Sequence, residues 1–285
     1  MAYKLGLIGY HLSHSISAVI HKAGLKSLGI DGTYEVLETA PEDLFSRIKF
    51  LKGNEYNGFN VTIPHKVPMA LFLDHIDKSA DVSGAVNTIK IRPDRTFHGF
   101  NTDIYGFQMA IPEEIRQTLK GANVSILGTG GASRAVAVGL VELGVKQINF
   151  YSRNIINSSN MVNYLRETFP DTIFKLYQNS STGELFNSAM IVNATPVGMK
   201  GNSADQMPLS LSVLSELPKE TVIYDIIYNP SKTYLLKKAA ECGLRTINGL
   251  DMLIHQAAKA QEIWMGKLPD VDKMKIAALE SLQES

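Results

Sequence analysis

Short apolar runs alternate along this chain with stretches in which apolar positions recur every three or four residues, the pattern of strands followed by helices. In the first third, "YKLGLIG", "TYEVLE" and "GFNVTI" read as strands. "SAVIHKAGLKSLG" and "PEDLFSRIKFLK" read as helices, the second opened by a proline whose fixed φ suits a first helical turn. "AVNTIKIRPDRTFHGFNTD" reads as a hairpin turning at Pro93-Asp94. A different unit begins near Gly121, where "ANVSILGTGGASRAVAVGLVELGVKQINFYSRN" gives strand, glycine turn, amphipathic helix stopped at Gly144, and second strand. "SAMIVNAT" and "TVIYDIIY" add strands; the chain turns helical from Lys232, passes "LRTINGLD" and closes on a long helix, "MLIHQAAKAQEIWMG". The patches "NIINSSN" and "QNSSTGE" read as loops. The alternation predicts an α/β fold with mainly parallel sheets, an N-terminal α/β domain followed by a Rossmann-type unit. No repeat or low-complexity tract interrupts it.

Composition narrows the function classes. The 285 residues exceed the usual span of one hydrophobic core. Basic and acidic residues balance at 28 each, which argues against nucleic acid or a membrane surface as partner. Cys242 is the single cysteine, so neither an internal disulfide nor a cysteine cage for metal is expected. The opening apolar run is short for a signal peptide and reads as a first strand. A cytoplasmic globular protein is expected.

"LGTGGASRA" follows an apolar strand and opens a helix. Gly128 and Gly130 permit a tight turn and close approach to a pyrophosphate, whose oxygens would accept from free N–H groups at the helix start. Ser133 stands where the usual pattern has its third glycine, and a purely structural turn is the competing reading. The second strand ends at Ser152-Arg153, with no carboxylate there to bind a ribose 2′-hydroxyl. An arginine pairs with a 2′-phosphate, so NADP is favoured over NAD.

A second polar cluster lies in the first third. "FNVTIPHK" places Asn60 and Thr62 on one face of a strand that Pro64 terminates, with Lys66 just beyond. Alone, this is also what an ordinary strand end with a solvated lysine looks like. Ser15 and Ser17 stand at a helix start, where they would either cap the helix or bind a carboxylate. His11 and His14 have no third ligand placed with them and are read as non-metal. The proposed hairpin brings Asn87 and Asp103 to one end, and Lys66 would meet Asp103 if the "FNVT" strand ends nearby. Such a pair is either a plain salt bridge or an acid/base couple.

The blocks "HSIS", "NVTIPHK", "GAVNT", "NTD", "LGTGGASRA", "NATPVGM", "DIIYNP" and "NGLDMLIHQAA", in this order, resemble the shikimate/quinate dehydrogenase family over essentially the whole chain. The resemblance implies a substrate domain (residues 1–104, completed by 248–285) and an NADP domain (residues 105–247), with a cleft between them and a last helix returning to the first. It implies reversible NADP-dependent reduction of 3-dehydroshikimate to shikimate in aromatic amino acid biosynthesis, by a monomer or homodimer. Lys66 and Asp103 are implied as catalytic. Ser15 and Ser17 would hold the substrate carboxylate, with Asn60, Thr62, Asn87, Tyr228 and Gln256 around the ring hydroxyls. The cofactor is implied to lie against Gly128, Gly130, Gly131, Ala132, Ser152, Arg153, Thr195, Met199 and Gly249. His11 and Ala18 stand where the family usually has proline, and Ile104 where glycine follows the aspartate. Asn157 occupies a position often basic in NADP-using members. A quinate-preferring or NAD-using enzyme, a folate-linked dehydrogenase and a non-catalytic nucleotide-sensing module are the alternatives.

Overall fold

A computed structural model describes residues 2–13, 15–201 and 203–283, and the chain divides into two compact units. One unit runs up to Gly106 and resumes at Ile254; the other is Phe107–Leu253. The chain positions of its elements follow the hydrophobic pattern closely. In the first unit these are β1 (Tyr3–Gly9), α1 (Ser17–Ser27), β2 (Gly32–Glu38), α2 (Leu44–Gly53) and β3 (Gly58–Val61). They continue with β4 (His75–Ile76), α3 (Lys78–Ser83), β5 (Thr88–Ile91), β6 (Phe97–Phe100) and α4 (Asp103–Ala110), the last crossing the boundary. The second unit holds α5 (Glu113–Leu119), β7 (Asn123–Leu127), α6 (Gly131–Glu142), β8 (Gln147–Ser152), α7 (Ile155–Thr168), β9 (Ile173–Gln178) and β10 (Met190–Asn193). It continues with α8 (Leu211–Glu216), β11 (Val222–Asp225), α9 (Tyr234–Glu241) and β12 (Arg245–Ile247); α10 (Leu250–Met265) and α11 (Val271–Gln283) then carry the chain back.

The first sheet has the order β2-β1-β3-β5-β6-β4. β1 pairs in parallel with β2 and β3, whereas β5 runs antiparallel to both neighbours, so this sheet is mixed. Both faces are covered. Phe59 and Val61 of β3 pack with Ile48 and Leu51 of α2 on one side, and Leu5 and Leu7 of β1 pack with Leu25, Ala260 and Trp264 on the other. The second sheet, β12-β11-β10-β7-β8-β9, is parallel throughout. Strands buried on both faces explain why β8, β10 and β11 are buried at every position.

Three sequence expectations change. "NIINSSN" is the start of α7, because Asn154 caps the helix by accepting from the Asn157 N–H; its polar first turn mimics a loop. "GFNVTI" is a strand only to Val61. The helix read from "MLIHQAAKAQEIWMG" is α10, but the chain does not close on it: a further helix, α11, follows Gly266, whose φ is +74°.

His21 of α1 is a polar member of the first core. It stacks on Tyr34 at 4.1 Å and takes the Gln261 amide at 3.2 Å. Burial pushes its imidazole down to about 3, and the neighbouring Asn60 side chain only partly opposes this. The native state therefore refuses a proton that the unfolded chain accepts below about 6.5. Stability present above that pH is lost on acidification toward 3, at about 1.4 kcal/mol per pH unit for one such proton. Trp264, the only tryptophan, is buried beside His21 at 5.5 Å and reports unfolding of this unit. We expect His21→Gln to flatten the urea-midpoint profile between pH 6.5 and 4; parallel profiles would exclude His21 as the titrating group.

Candidate active site

The mixed pairing gathers polar residues at one end of the first sheet. β1 and β3 end there, β5 begins there because it runs backwards, and β6 ends there. The loops leaving these ends carry Ser15 and Ser17 after β1, Thr62 and Lys66 after β3, Asn87 before β5, and Asp103 after β6. Val61 N–H donates to the Asn87 carbonyl at 2.8 Å and Asn87 N–H to the Phe100 carbonyl at 3.1 Å, locking this end in register.

Lys66 and Asp103 form an ion pair at 2.5 Å between Nζ and Oδ2, their side chains 13% and 7% exposed. Asn87 Nδ2 donates to the other carboxylate oxygen at 2.8 Å and to Thr102 Oγ1 at 2.9 Å. Gln256 Oε1 lies 3.3 Å from the same amide, so α10 contributes to the cluster. Removing either member of a pair this buried would leave the other in a poorly solvated place.

Ser15 and Ser17 lie together: Ser15 Oγ donates to Ser17 Oγ at 3.1 Å and accepts the Ser17 N–H at 3.3 Å. Ile16 is the N-cap of α1 and offers no side-chain cap, so Ser15 Oγ takes the Ser17 N–H in its place. The Ser17 hydroxyl proton and the remaining first-turn N–H groups can face an anion, and the Ser15 hydroxyl can turn to join them. His11, in the preceding loop, has φ of 62°, which a proline could not adopt. Its N–H donates to Glu38 at 3.1 Å. His14 lies outside the described residues. Among those described, no group of three or more His, Cys, Asp or Glu is placed to hold a metal ion. Ala18 is half-buried against the first core. Ile104 is buried, so its side chain adds to packing.

In the second unit, β7 is central: the chain proceeds to β8 and β9 on one side, then to β10, β11 and β12 on the other. The loops after β7 and β10 meet at that reversal, where open parallel sheets take their ligands. Gly128 has φ of +101°, and a Cβ there would press on Thr195 Cγ2 at 3.0 Å. Gly130 faces open space, and α6 begins at Gly131-Ala132 with no side-chain cap. An uncapped helix start, a side-chain-free turn and open room are what a pyrophosphate requires. Thr195 is held by two bonds to Asn193 Oδ1, at 2.7 and 3.0 Å, and Met199 is exposed nearby in sequence. Arg153 is exposed, and among the described residues its guanidinium makes no hydrogen bond or ion pair. Tyr228 is half-buried in the loop after β11.

Three expected contact residues are taken up inside the fold. Asn60 is buried, its Oδ1 accepting the Tyr34 hydroxyl at 2.8 Å and its Nδ2 donating to the Asn87 carbonyl and Thr88 Oγ1. Ser152 is buried and joined to Ser158 Oγ at 2.7 Å. Gly249 donates its N–H to the Ile227 carbonyl, and a Cβ there would strike the Ile226 carbonyl, so its bareness serves that backbone contact. Conversely, the sequence reading passed over Thr102 and Thr88, which bracket Asn87. The signal was present: each adjoins a singled-out residue in "AVNT" and "FNTD".

Comparison with known proteins places the chain in a family. The shikimate dehydrogenase substrate binding domain family matches residues 7–89, and the shikimate 5′-dehydrogenase C-terminal domain family matches 249–279. A curated shikimate dehydrogenase (NADP(+)) of Methanocaldococcus jannaschii is 39% identical, with 98% of this chain and 96% of that protein aligned. A crystal structure of a shikimate dehydrogenase in complex with NADP+ superposes with a TM-score of 0.89 at 37% identity, covering 99% of this chain and 96% of the other. A quinate dehydrogenase from Corynebacterium glutamicum in complex with NAD gives 0.88 at 29% identity, covering 98% and 99%. At 36–39% identity over nearly its full length to curated shikimate dehydrogenases, the chain belongs to the shikimate dehydrogenase family.

Proposed function

We propose that this protein is an NADP-dependent shikimate dehydrogenase, reversibly reducing 3-dehydroshikimate to shikimate. The observation that carries the reading is the Lys66–Asp103–Asn87–Gln256 cluster, a buried charged couple with amides beside it at the open end of a sheet. The first unit would bind substrate and the second the cofactor. When bound, the nicotinamide donates or accepts hydride at the alcohol carbon, and the protein supplies position and protons. Ser15 and Ser17 hold the carboxylate with two hydroxyl donors at a helix start. Lys66 delivers the proton to the substrate oxygen during reduction and takes it back during oxidation. Asp103 fixes the ammonium and accepts from the substrate hydroxyl, while Thr62, Asn87 and Gln256 address the ring hydroxyls. Gly128, Gly130, Gly131 and Ala132 would receive the pyrophosphate, and Thr195 and Met199 would line the remaining cofactor surface.

Arg153 supports NADP, since its unpaired guanidinium can take a 2′-phosphate with charge-assisted bonds. Ser152, already bonded to Ser158, adds nothing, and Asn157 brings no second charge. Arg153→Ala is therefore expected to raise KM for NADP roughly ten- to hundred-fold while leaving NAD almost unchanged. Equal loss for both cofactors would remove Arg153 from phosphate recognition. The likeness to an NAD-bound quinate dehydrogenase makes quinate with NAD the second reading. Measuring kcat/KM for shikimate and quinate with each cofactor tests the assignment; a preference for quinate, or for NAD, would overturn it in that part.

A further inference from the structure

Asp103 works, on the proposed reading, only if its two oxygens are aimed separately, one at Lys66 and one at Asn87. Asn87 could in principle present either end of its amide to the carboxylate. One orientation is excluded here because Asn87 Oδ1 accepts the main-chain N–H of Thr102 at 2.7 Å, a group that can only donate. Nδ2 is thereby turned toward Asp103.

Behind Asn87 the hydrogen bonds continue in one direction. Tyr34 donates its hydroxyl to Asn60 Oδ1 at 2.8 Å, and Asn60 Nδ2 donates to Thr88 Oγ1 at 3.0 Å. Thr88 then has its own proton for Asn87 Oδ1 at 3.0 Å, and Asn87 Nδ2 donates to the Asp103 carboxylate at 2.8 Å. Tyr34, Asn60, Thr88 and Asn87 are all buried, Thr88 completely. Each link is a donor passing polarisation to the next, and the chain ends on an anion, the arrangement in which successive bonds strengthen one another. Thr88 is the hinge of the series: among the described residues it is the only hydroxyl that receives from Asn60 and gives to Asn87. Thr102 Oγ1, 3.1 Å from Thr88 Oγ1, gives to the same Asn87 oxygen at 3.1 Å without a link to Asn60.

We propose that Thr88, backed by Asn60 and Tyr34, is a positioning residue that aims Asn87 and, through it, Asp103 at the reacting proton. Asn60 thus serves the site from behind. The inference rests on the reading of Asp103 given above. Thr88 is completely buried, and its effect passes through the Asp103 carboxylate.

The test is a double-mutant cycle in steady-state kinetics with shikimate and NADP on the full chain. Thr88→Val keeps the shape and removes the hydroxyl, and is expected to lower kcat about ten-fold with KM for shikimate changed less than about two-fold. Thr88→Ser, which keeps the hydroxyl, is expected to restore kcat to within about three-fold of wild type. In an Asp103→Asn background, Thr88→Val is expected to cost less than about two-fold further, because two residues acting as one unit are not additive. Undiminished kcat in Thr88→Val, failure of Thr88→Ser to restore it, or the same ten-fold loss in the Asp103→Asn background would overturn the inference while leaving the role of Asp103 intact. Near-normal turnover of Asp103→Asn itself would overturn both. Should Thr88→Val not fold, Tyr34→Phe enters the same cycle. A kcat loss that disappears in the Asp103→Asn background then supports the relay, and an unchanged or fully additive kcat rejects it.

Discussion

Lys66→Ala is expected to abolish most turnover, lowering kcat about 10²–10⁴-fold, the range of a positioned acid/base group. Two consequences of the structure sharpen this. Lys66 donates to Asp103 in a pair whose side chains are only 13% and 7% exposed, so its loss also leaves a carboxylate without its cation. Lysine packing contributes little there, and the main-chain contact of Lys66, its carbonyl accepting the Val86 N–H, survives truncation. The variant should therefore fold and bind cofactor, with the deficit concentrated in kcat and a smaller change in KM for shikimate. Near-normal kcat would take Lys66 out of the mechanism and reduce the pair to a structural ion bridge.

The Ser15→Ala, Ser17→Ala double variant is expected to fail in substrate affinity. Each hydroxyl donates to a charged acceptor on the proposed reading, worth about 1.5–3 kcal/mol. Together they predict a rise in KM for shikimate on the order of 10²-fold or more. Neither serine is the N-cap of α1, and the one helix-start bond lost, from the Ser17 N–H to Ser15 Oγ at 3.3 Å, is long, so helix stability should change little. NADP binding, measured separately by fluorescence titration, should be unchanged. If the double variant binds shikimate normally, the carboxylate is held elsewhere and the serines serve only the loop that they terminate.

Local chemistry made much of this legible. Glycine turn, strand before and helix after are dictated by short-range sterics, and "LGTGGASRA" folds as expected from them. The hairpin turning at Pro93-Asp94 likewise follows from turn residues between two apolar strands, and it brings Asn87 beside Asp103. What escaped is what depends on neighbours distant in sequence. Nothing local says that Asn60 would meet Tyr34, or that Ser152 would be claimed by Ser158. Both have the polarity of a binding residue, and only tertiary packing decides which partner takes the hydrogen bond. The α7 start was missed for the opposite reason: Asn and Ser serve loops and helix caps alike, and composition alone does not separate them.

The chain leaves the first unit at Gly106 and re-enters it at Ile254, and this sets a timetable for biosynthesis. The returning helix supplies Trp264, whose indole donates to the Ile89 carbonyl at 2.8 Å, and Gln261, which secures His21. During translation the first sheet emerges early but lacks this cover until the whole of Phe107–Leu253 has followed, a wait of roughly 7–30 s at about 5–20 residues per second. The second unit, continuous in sequence, has no such wait. The nascent first sheet thus stays without this cover longest, and the second unit is the first whose chain is complete enough to close on the ribosome.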